Sequence, residues 1–200
     1  MGLFARNRIP AGVDPARLPP GQTLTAPDKW PLLHFGPVPR TDLKSWDFKV
    51  FGLVENPITL SHDELRALPK ADRVADIHCV TGWSRLGDTW TGVPIKELLD
   101  RVRPLPDAKY VMAHCDYGYT TSVPLEVLAD DDVMLCYGWN GQDLTPDHGW
   151  PLRLLVPKKY FWKSAKWLRG LEFMPRNRLG FWEQRGYHDE ADPFREQRYW

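Results

Sequence analysis

Short stretches of this chain alternate apolar and polar residues with a period of two, and Gly, Pro and Asn interrupt them. Trp46 to Val54 predicts a strand, turned by Asn56-Pro57. Ser61-His62-Asp63-Glu64 has the spacing of a capping box and opens a short helix through Leu68. Val74 to Val80 is β-branched and apolar, a further strand. Pro94 suits the first turn of a helix running through Val102. Tyr110–Cys115 and Tyr119–Val123 read as strands, Pro124–Ala129 as a short helix, and Asp130-Asp131-Asp132 as a solvated loop. Val133–Tyr137 followed by Asn140-Gly141 signals a strand and hairpin. Leu152–Val156 reads as a buried strand, and Trp167–Met174 contains the last one. Residues 1–40 are Pro-rich and weakly periodic, an extended arm anchored by Leu32, Leu33 and Phe35. Residues 176–200 form an aromatic, charged tail. Neither a repeat nor a linker divides the chain, so the pattern predicts one α+β domain over residues 41–175, β-rich and mixed, with short helices between strands.

Composition sharpens this. A chain of 200 residues with 42% hydrophobic content can bury a sizeable core. Ten Trp imply thick apolar packing or a deep pocket walled by rigid rings. Nineteen Pro and fifteen Gly argue against a helix bundle. The 26 basic and 26 acidic residues cancel, which removes the electrostatic case for nucleic acid or an anionic membrane. No apolar run reaches the length of a membrane span. Cys79, Cys115 and Cys136 cannot all pair within the chain and fit a reducing compartment. Met1 to Arg8 shows neither a long apolar signal region nor adjacent arginines, so a cytoplasmic location is expected.

Three segments carry candidate chemistry. His78-Cys79-Val80-Thr81-Gly82-Trp83-Ser84 puts a thiol where the chain leaves a strand, and Trp90-Thr91-Gly92-Val93-Pro94 follows. A thiolate is a soft ligand for a transition metal, and a buried cysteine is also an ordinary packing residue. In Asp147-His148-Gly149-Trp150-Pro151-Leu152-Arg153, the histidine and arginine flank a turn that feeds a strand and could grip a phosphate. Lys158 to Trp167 interleaves basic and aromatic side chains, as around an anionic heterocycle or on a surface strand with snorkelling lysines.

Taken together, these segments resemble the sulfite oxidase-like molybdopterin-binding family over about residues 30–175, in its bacterial cytoplasmic branch. The resemblance implies that fold, a molybdenum-molybdopterin cofactor and oxygen-atom transfer to or from a small oxoanion, sulfoxide or N-oxide. It makes Cys79 the metal ligand. His148 and Arg153, with Val156-Pro157 following, match the pterin-phosphate segment, and Ser164-Ala165-Lys166 matches a second one. His34-Phe35 with Pro37-Val38-Pro39 resembles the N-terminal pterin-contacting segment, and Cys115 falls where related enzymes place a cofactor neighbour. Arg85, in a loop Ser84–Asp88, is matched to an anion-binding arginine, and Tyr117, with Tyr119 behind it, to an active-site tyrosine.

A different class remains open. The twin pairs His78-Cys79 and His114-Cys115 could form a zinc site in a structural or binding module, although neighbours on a strand point to opposite faces. The chain carries no haem motif, dinucleotide fingerprint or iron–sulfur cysteine set, so a separate electron donor or acceptor, protein or small carrier, is expected. The tail from Phe181 to Trp200 either docks that partner or folds back to seal the domain.

Overall fold

A computed structural model describes residues 12–200. The expectation on Met1–Arg8 lies outside the described residues. The elements run β1 (Thr23–Leu24), β2 (Asp47–Gly52), β3 (Ile58–Ser61), α1 (His62–Ala67), β4 (Ala71–His78), β5 (Trp83–Pro94) and α2 (Ile95–Val102). There follow β6 (Tyr110–Cys115), β7 (Thr120–Pro124), α3 (Leu125–Leu128), β8 (Met134–Trp139), β9 (Gln142–Asp143), β10 (Arg153–Leu155) and β11 (Leu168–Met174). Two mixed sheets result. One has the order β1-β5-β8-β10, with β4 also paired to β5 and β9 to β8; the other runs β3-β2-β11-β6-β7. The largest hydrophobic cluster draws Phe48, Val111 and Leu171 from the second sheet and Val93, Leu135 and Leu154 from the first, so both sheets share one core. This is a single β-rich α+β domain.

Local chemistry explains the boundaries. The Ser61 hydroxyl accepts from the Glu64 amide at 3.3 Å while the Glu64 carboxylate accepts from the Ser61 amide at 2.8 Å, a reciprocal cap that starts α1. Pro94 precedes α2, which buries Ile95, Leu98 and Val102 and ends at Arg103 in a left-handed conformation. Asn140 and Gly141 both take positive φ, as a two-residue hairpin between β8 and β9 demands.

The longest strand, β5, is the element that the residue pattern hides. Its polar residues Ser84, Arg85 and Asp88 point inward and are buried, and register shifts break its pairing with β4 and β8. The expected loop Ser84–Asp88 is therefore strand. A Cβ on Gly92 would lie 2.1 Å from the Leu135 carbonyl oxygen, so only glycine lets β8 approach there.

The arm and tail are tied to this frame. The Thr23 amide donates to the Gly82 carbonyl at 2.8 Å, and Gln22 Nε2 donates to the Cys79 carbonyl at 3.1 Å. The expected anchors Leu32, Leu33 and Phe35 are exposed, because they rim a cavity rather than fill the core; Trp30 packs inward instead. In the tail, the Phe181 amide donates to Thr120 and the Tyr160 amide donates to Ala191. Among the described residues, no helix is long and apolar enough to cross a membrane.

Candidate functional site

Cys79 sits at the corner between β4 and β5. The Gly82 amide closes a tight turn onto the Cys79 carbonyl at 3.0 Å, with Gly82 at φ +97°. The corner leaves the thiol buried, 3.1 Å from the Thr81 hydroxyl, on the wall of a cavity of about 380 Å³. Burial pushes the thiol's pKa up, and the Thr81 hydrogen bond offsets only part of this. Left alone, Cys79 is thus a protonated thiol rather than an activated nucleophile; a coordinated metal is what would take its proton.

Cationic side chains line the same cavity. Arg153 opens β10, His148 precedes it, and Lys166 lies on the loop returning to β11. Gly149, at φ +111°, lets them converge: a Cβ there would stand 3.1 Å from Lys166 Cγ and 3.2 Å from Arg153 Cβ. The Arg153 guanidinium donates to the His148 carbonyl at 2.8 Å and to the Ser164 carbonyl at 2.7 Å, and among the described residues its Nε has no partner. Lys166 Nζ donates to the Leu33 and Asp147 carbonyls, both at 2.9 Å. Among the described residues, neither Arg153 nor Lys166 forms an ion pair with a carboxylate. Burial lowers the pKa of Arg153 to about 9. Burial, then repulsion from Arg153, lowers Lys166 to about 7 and His148 to about 4. His148 is held from the other side by the Trp30 ring, stacked at 3.9 Å. Buried cations without counter-charge are costly, and an anionic group in the cavity would remove that cost. The residues present therefore fit an anionic cofactor.

Of the residues singled out from the sequence, Cys79, His34, Phe35, His148, Arg153, Ser164, Ala165 and Lys166 all line this one cavity. Three do not. Arg85 is buried in β5, its Nε 2.7 Å and its Nη2 3.0 Å from the Asp88 carboxylate. Its remaining donors reach the carbonyls of Ala26, Pro27 and Lys29, which leaves nothing for a substrate. Cys115 lies in the main core, with burial raising its thiol pKa strongly. Tyr117 is 52% exposed at φ +58°, against a second, polar cleft that also includes Asp116 and Arg169. The cavity receives Tyr119 instead, whose hydroxyl donates to the Trp162 carbonyl at 2.7 Å. Burial holds the Tyr119 pKa well above the ordinary phenol value, so it keeps its proton.

The twin His-Cys pairs do not converge. His78 ends β4 in one sheet and meets the Ser84 hydroxyl at 2.8 Å; His114 lies on β6 in the other and meets Glu172 at 2.8 Å. Among the described residues, no group of three or more His, Cys, Asp or Glu is placed to hold a metal, which removes the zinc alternative. The sequence reading missed Trp30, Trp83, Trp162, Trp182 and Tyr187 as cavity walls. The abundance of Trp was the available signal, but abundance does not say which rings face a pocket.

Comparison with known proteins follows the same lines. The chain is 45% identical over 184 residues to an uncharacterized oxidoreductase, YuiH, of Bacillus subtilis, covering 92% of both chains. It is 35% identical over 151 residues to a putative protein-methionine-sulfoxide reductase subunit, YedZ1, of Azospira oryzae, covering 76% of this chain and 57% of that one. A nitrate reductase [NADPH] of Emericella nidulans is 33% identical, but this chain spans only 22% of its length. The sulfane dehydrogenase SoxCD of Paracoccus pantotrophus shares the fold, with a TM-score of 0.66 at 24% identity over 72% of this chain and 42% of that one. The model of the oxidoreductase molybdopterin binding domain matches residues 35–182, a span that holds Cys79, the cationic wall and the aromatic wall alike, and the chain belongs to that family of molybdopterin-dependent oxidoreductases.

Proposed function

We propose that this chain uses molybdenum-molybdopterin to move an oxygen atom to or from a small substrate, with the Cys79 thiolate as the protein's ligand to the metal. The observation that carries this reading is the meeting, in one cavity, of a buried thiol and an uncompensated cationic wall. When bound, the cofactor supplies two-electron oxygen-atom transfer with molybdenum alternating between the VI and IV states. Arg153, Lys166 and His148 hold the pterin phosphate by charge-assisted hydrogen bonds, and the Ser164-Ala165 backbone shapes the loop that receives it. His34 and Phe35 close the cavity from the arm. Tyr119, rather than Tyr117, is the tyrosine at the site, and its retained proton makes its hydroxyl a donor.

The reading includes a separate electron donor or acceptor, protein or small carrier, for the metal. The three cysteines are unpaired, in keeping with a reducing, cytoplasmic location. Metal and pterin analysis of purified protein tests the reading: molybdenum and pterin near one per chain are expected. X-ray absorption of Cys79→Ser should show one sulfur fewer around the metal, with turnover abolished. An unchanged sulfur shell would remove Cys79 from the metal.

A further inference from the structure

The turn that carries Cys79 is held from two directions, by the arm and by the tail. Three of its carbonyls accept from donors outside it. The Cys79 carbonyl takes Gln22 Nε2 at 3.1 Å besides the Gly82 amide at 3.0 Å, and the Gly82 carbonyl takes the Thr23 amide at 2.8 Å. The Val80 carbonyl takes the Arg198 guanidinium. Arm and tail also meet here: a Cβ on Gly21, at φ +68°, would lie 3.5 Å from Arg198 Nη2.

Both side chains are themselves fixed. Gln22 is buried, and Ser84 Oγ donates to its Oε1 at 3.2 Å. The hydroxyl proton is thereby used, so His78 Nδ1, at 2.8 Å from the same Oγ, is the donor to it. The relay runs from His78 through Ser84 and Gln22 to the Cys79 carbonyl, each bond polarising the next. Arg198 is held through its backbone. Its carbonyl accepts from the His188 amide at 3.1 Å, its amide donates to the Glu196 carbonyl at 2.8 Å, and Tyr187 and Tyr199 form a bridge beside it. Its guanidinium carbon stands 5.2 Å from the Tyr160 ring, and Tyr160 shares a buried cluster with Cys79. Burial raises the thiol's pKa, and the Thr81 hydrogen bonds and then the Arg198 charge lower it, so that charge is felt at the sulfur.

For a metal ligand the consequences are geometric and electrostatic. A short turn can relax, and the direction of its sulfur relaxes with it; donors on successive carbonyls remove that freedom. A fixed positive charge favours the more negative, reduced state of a nearby metal and so raises its reduction potential. Gln22 supplies only the first effect, and Arg198 supplies both.

We infer that Gln22 and Arg198 are positioning residues for the Cys79 ligand, clamping its turn from the arm and from the tail, and that the Arg198 charge holds the metal's reduction potential up. This rests on Cys79 as the metal ligand, proposed above.

The test is a redox titration of purified holoenzyme followed by its Mo(V) electron paramagnetic resonance signal, with molybdenum, pterin and the metal's sulfur count measured first. Arg198→Met should lower the midpoint potential, and Arg198→Lys, which keeps the charge, should return it toward the wild-type value. Gln22→Met, close in size but unable to donate, should broaden or split the Mo(V) signal as the ligand's orientation spreads, with the midpoint near wild type. Thermal melts of the cofactor-free variants report folding separately. Where a methionine form does not load with molybdenum, Arg198→Gln decides the charge effect and Gln22→Glu, which cannot donate either, decides the signal. An unaltered midpoint in the neutral Arg198 form, a midpoint in Arg198→Lys as low as in that form, or an unaltered signal in the Gln22 variant overturns the inference. A sulfur count equal in wild type and Cys79→Ser instead overturns the ligand reading, and the inference falls with it.

Discussion

Arg85 and Arg153 are both buried, both on strands of the first sheet, and opposite in what surrounds them. Arg85 has a carboxylate at 2.7 Å, further carbonyl acceptors, and the Trp139 ring 5.2 Å from its guanidinium carbon. Arg153 also has ring contacts, Phe161 at 4.2 Å, and two carbonyl acceptors, but among the described residues it has no carboxylate and no partner for its Nε, and a second cation, Lys166, is its neighbour. The first arrangement is complete within the chain and works as structure. The second, on the proposed reading, is completed by an anion. The contrast teaches that a candidate ligand-binding arginine is marked by the counter-charge it lacks rather than by its burial or its sequence neighbours.

Substitutions should separate the two regions. Arg85→Ala leaves Asp88 buried and unpaired, and should cost about 3–5 kcal/mol of stability in denaturant melts while the cationic wall stays intact. Arg153→Ala or Lys166→Ala should do the reverse. On the proposed reading each removes a charge-assisted hydrogen bond to the cofactor, worth about 1.5–3 kcal/mol, and should lower pterin occupancy roughly tenfold or more; Arg153→Ala also leaves the His148 and Ser164 carbonyls without their donor, so its apo-protein should lose some stability, less than Arg85→Ala loses. A large stability loss in Arg153→Ala apo-protein would show that this side chain, too, is chiefly structural.

The pH dependence of the cofactor-free protein sharpens the contrast. His148 titrates at about 4 when folded and near 6.5 when unfolded, and Lys166 at about 7 against 10.5. Between each pair of values the unfolded chain holds more protons, so stability rises with pH across both windows and falls as pH drops through them. His78, also lowered to about 4 by burial, adds to the acid-side loss. Filling the site with the cofactor should raise the Lys166 pKa and flatten the upper window. Thermal melts from pH 6 to 10, with and without cofactor, read this directly; equal slopes would place no anion beside Lys166.

The smallest effect belongs to the Arg85 region. Asn140 Nδ2 donates to Asp88 at 3.2 Å and its Oδ1 accepts from the Thr89 amide at 2.8 Å, at φ +47°. Asn140→Ala should lose about 1 kcal/mol, with cofactor content unaltered.

Much of this was legible in the residues. Strands such as Asp47–Gly52 emerge from alternation because Phe48 and Val50 are buried on one face while Lys49 and Phe51 are exposed on the other. The Ser61 cap and the Asn140-Gly141 turn announce themselves because each needs particular side chains at fixed spacing. β5 escaped because it buries Arg85, Asp88 and Ser84, whose satisfaction depends on residues more than fifty positions away, such as Lys29 and Gln22. The same long-range dependence made Arg85 look available. At the site, the resemblance to a known family singled out Cys79, His148, Arg153 and Lys166, and the fold gathers their side chains around one cavity. That Tyr119 rather than Tyr117 lines the cavity could not be read from spacing alone, since it follows from the left-handed turn that leaves Tyr117 exposed. The aromatic wall joins segments distant in the chain, and only the folded tail brings Trp182 and Tyr187 beside Trp162.

The central claim is that Arg153 and Lys166 are reserved for an anionic cofactor while Arg85 is not. Pterin released per folded chain, compared among wild type, Arg153→Ala/Lys166→Ala and a stabilised background carrying Arg85→Ala, measures it most directly. The account predicts near-stoichiometric pterin in wild type and in folded Arg85→Ala, and almost none in the double variant. Full pterin occupancy in the folded double variant would contradict it.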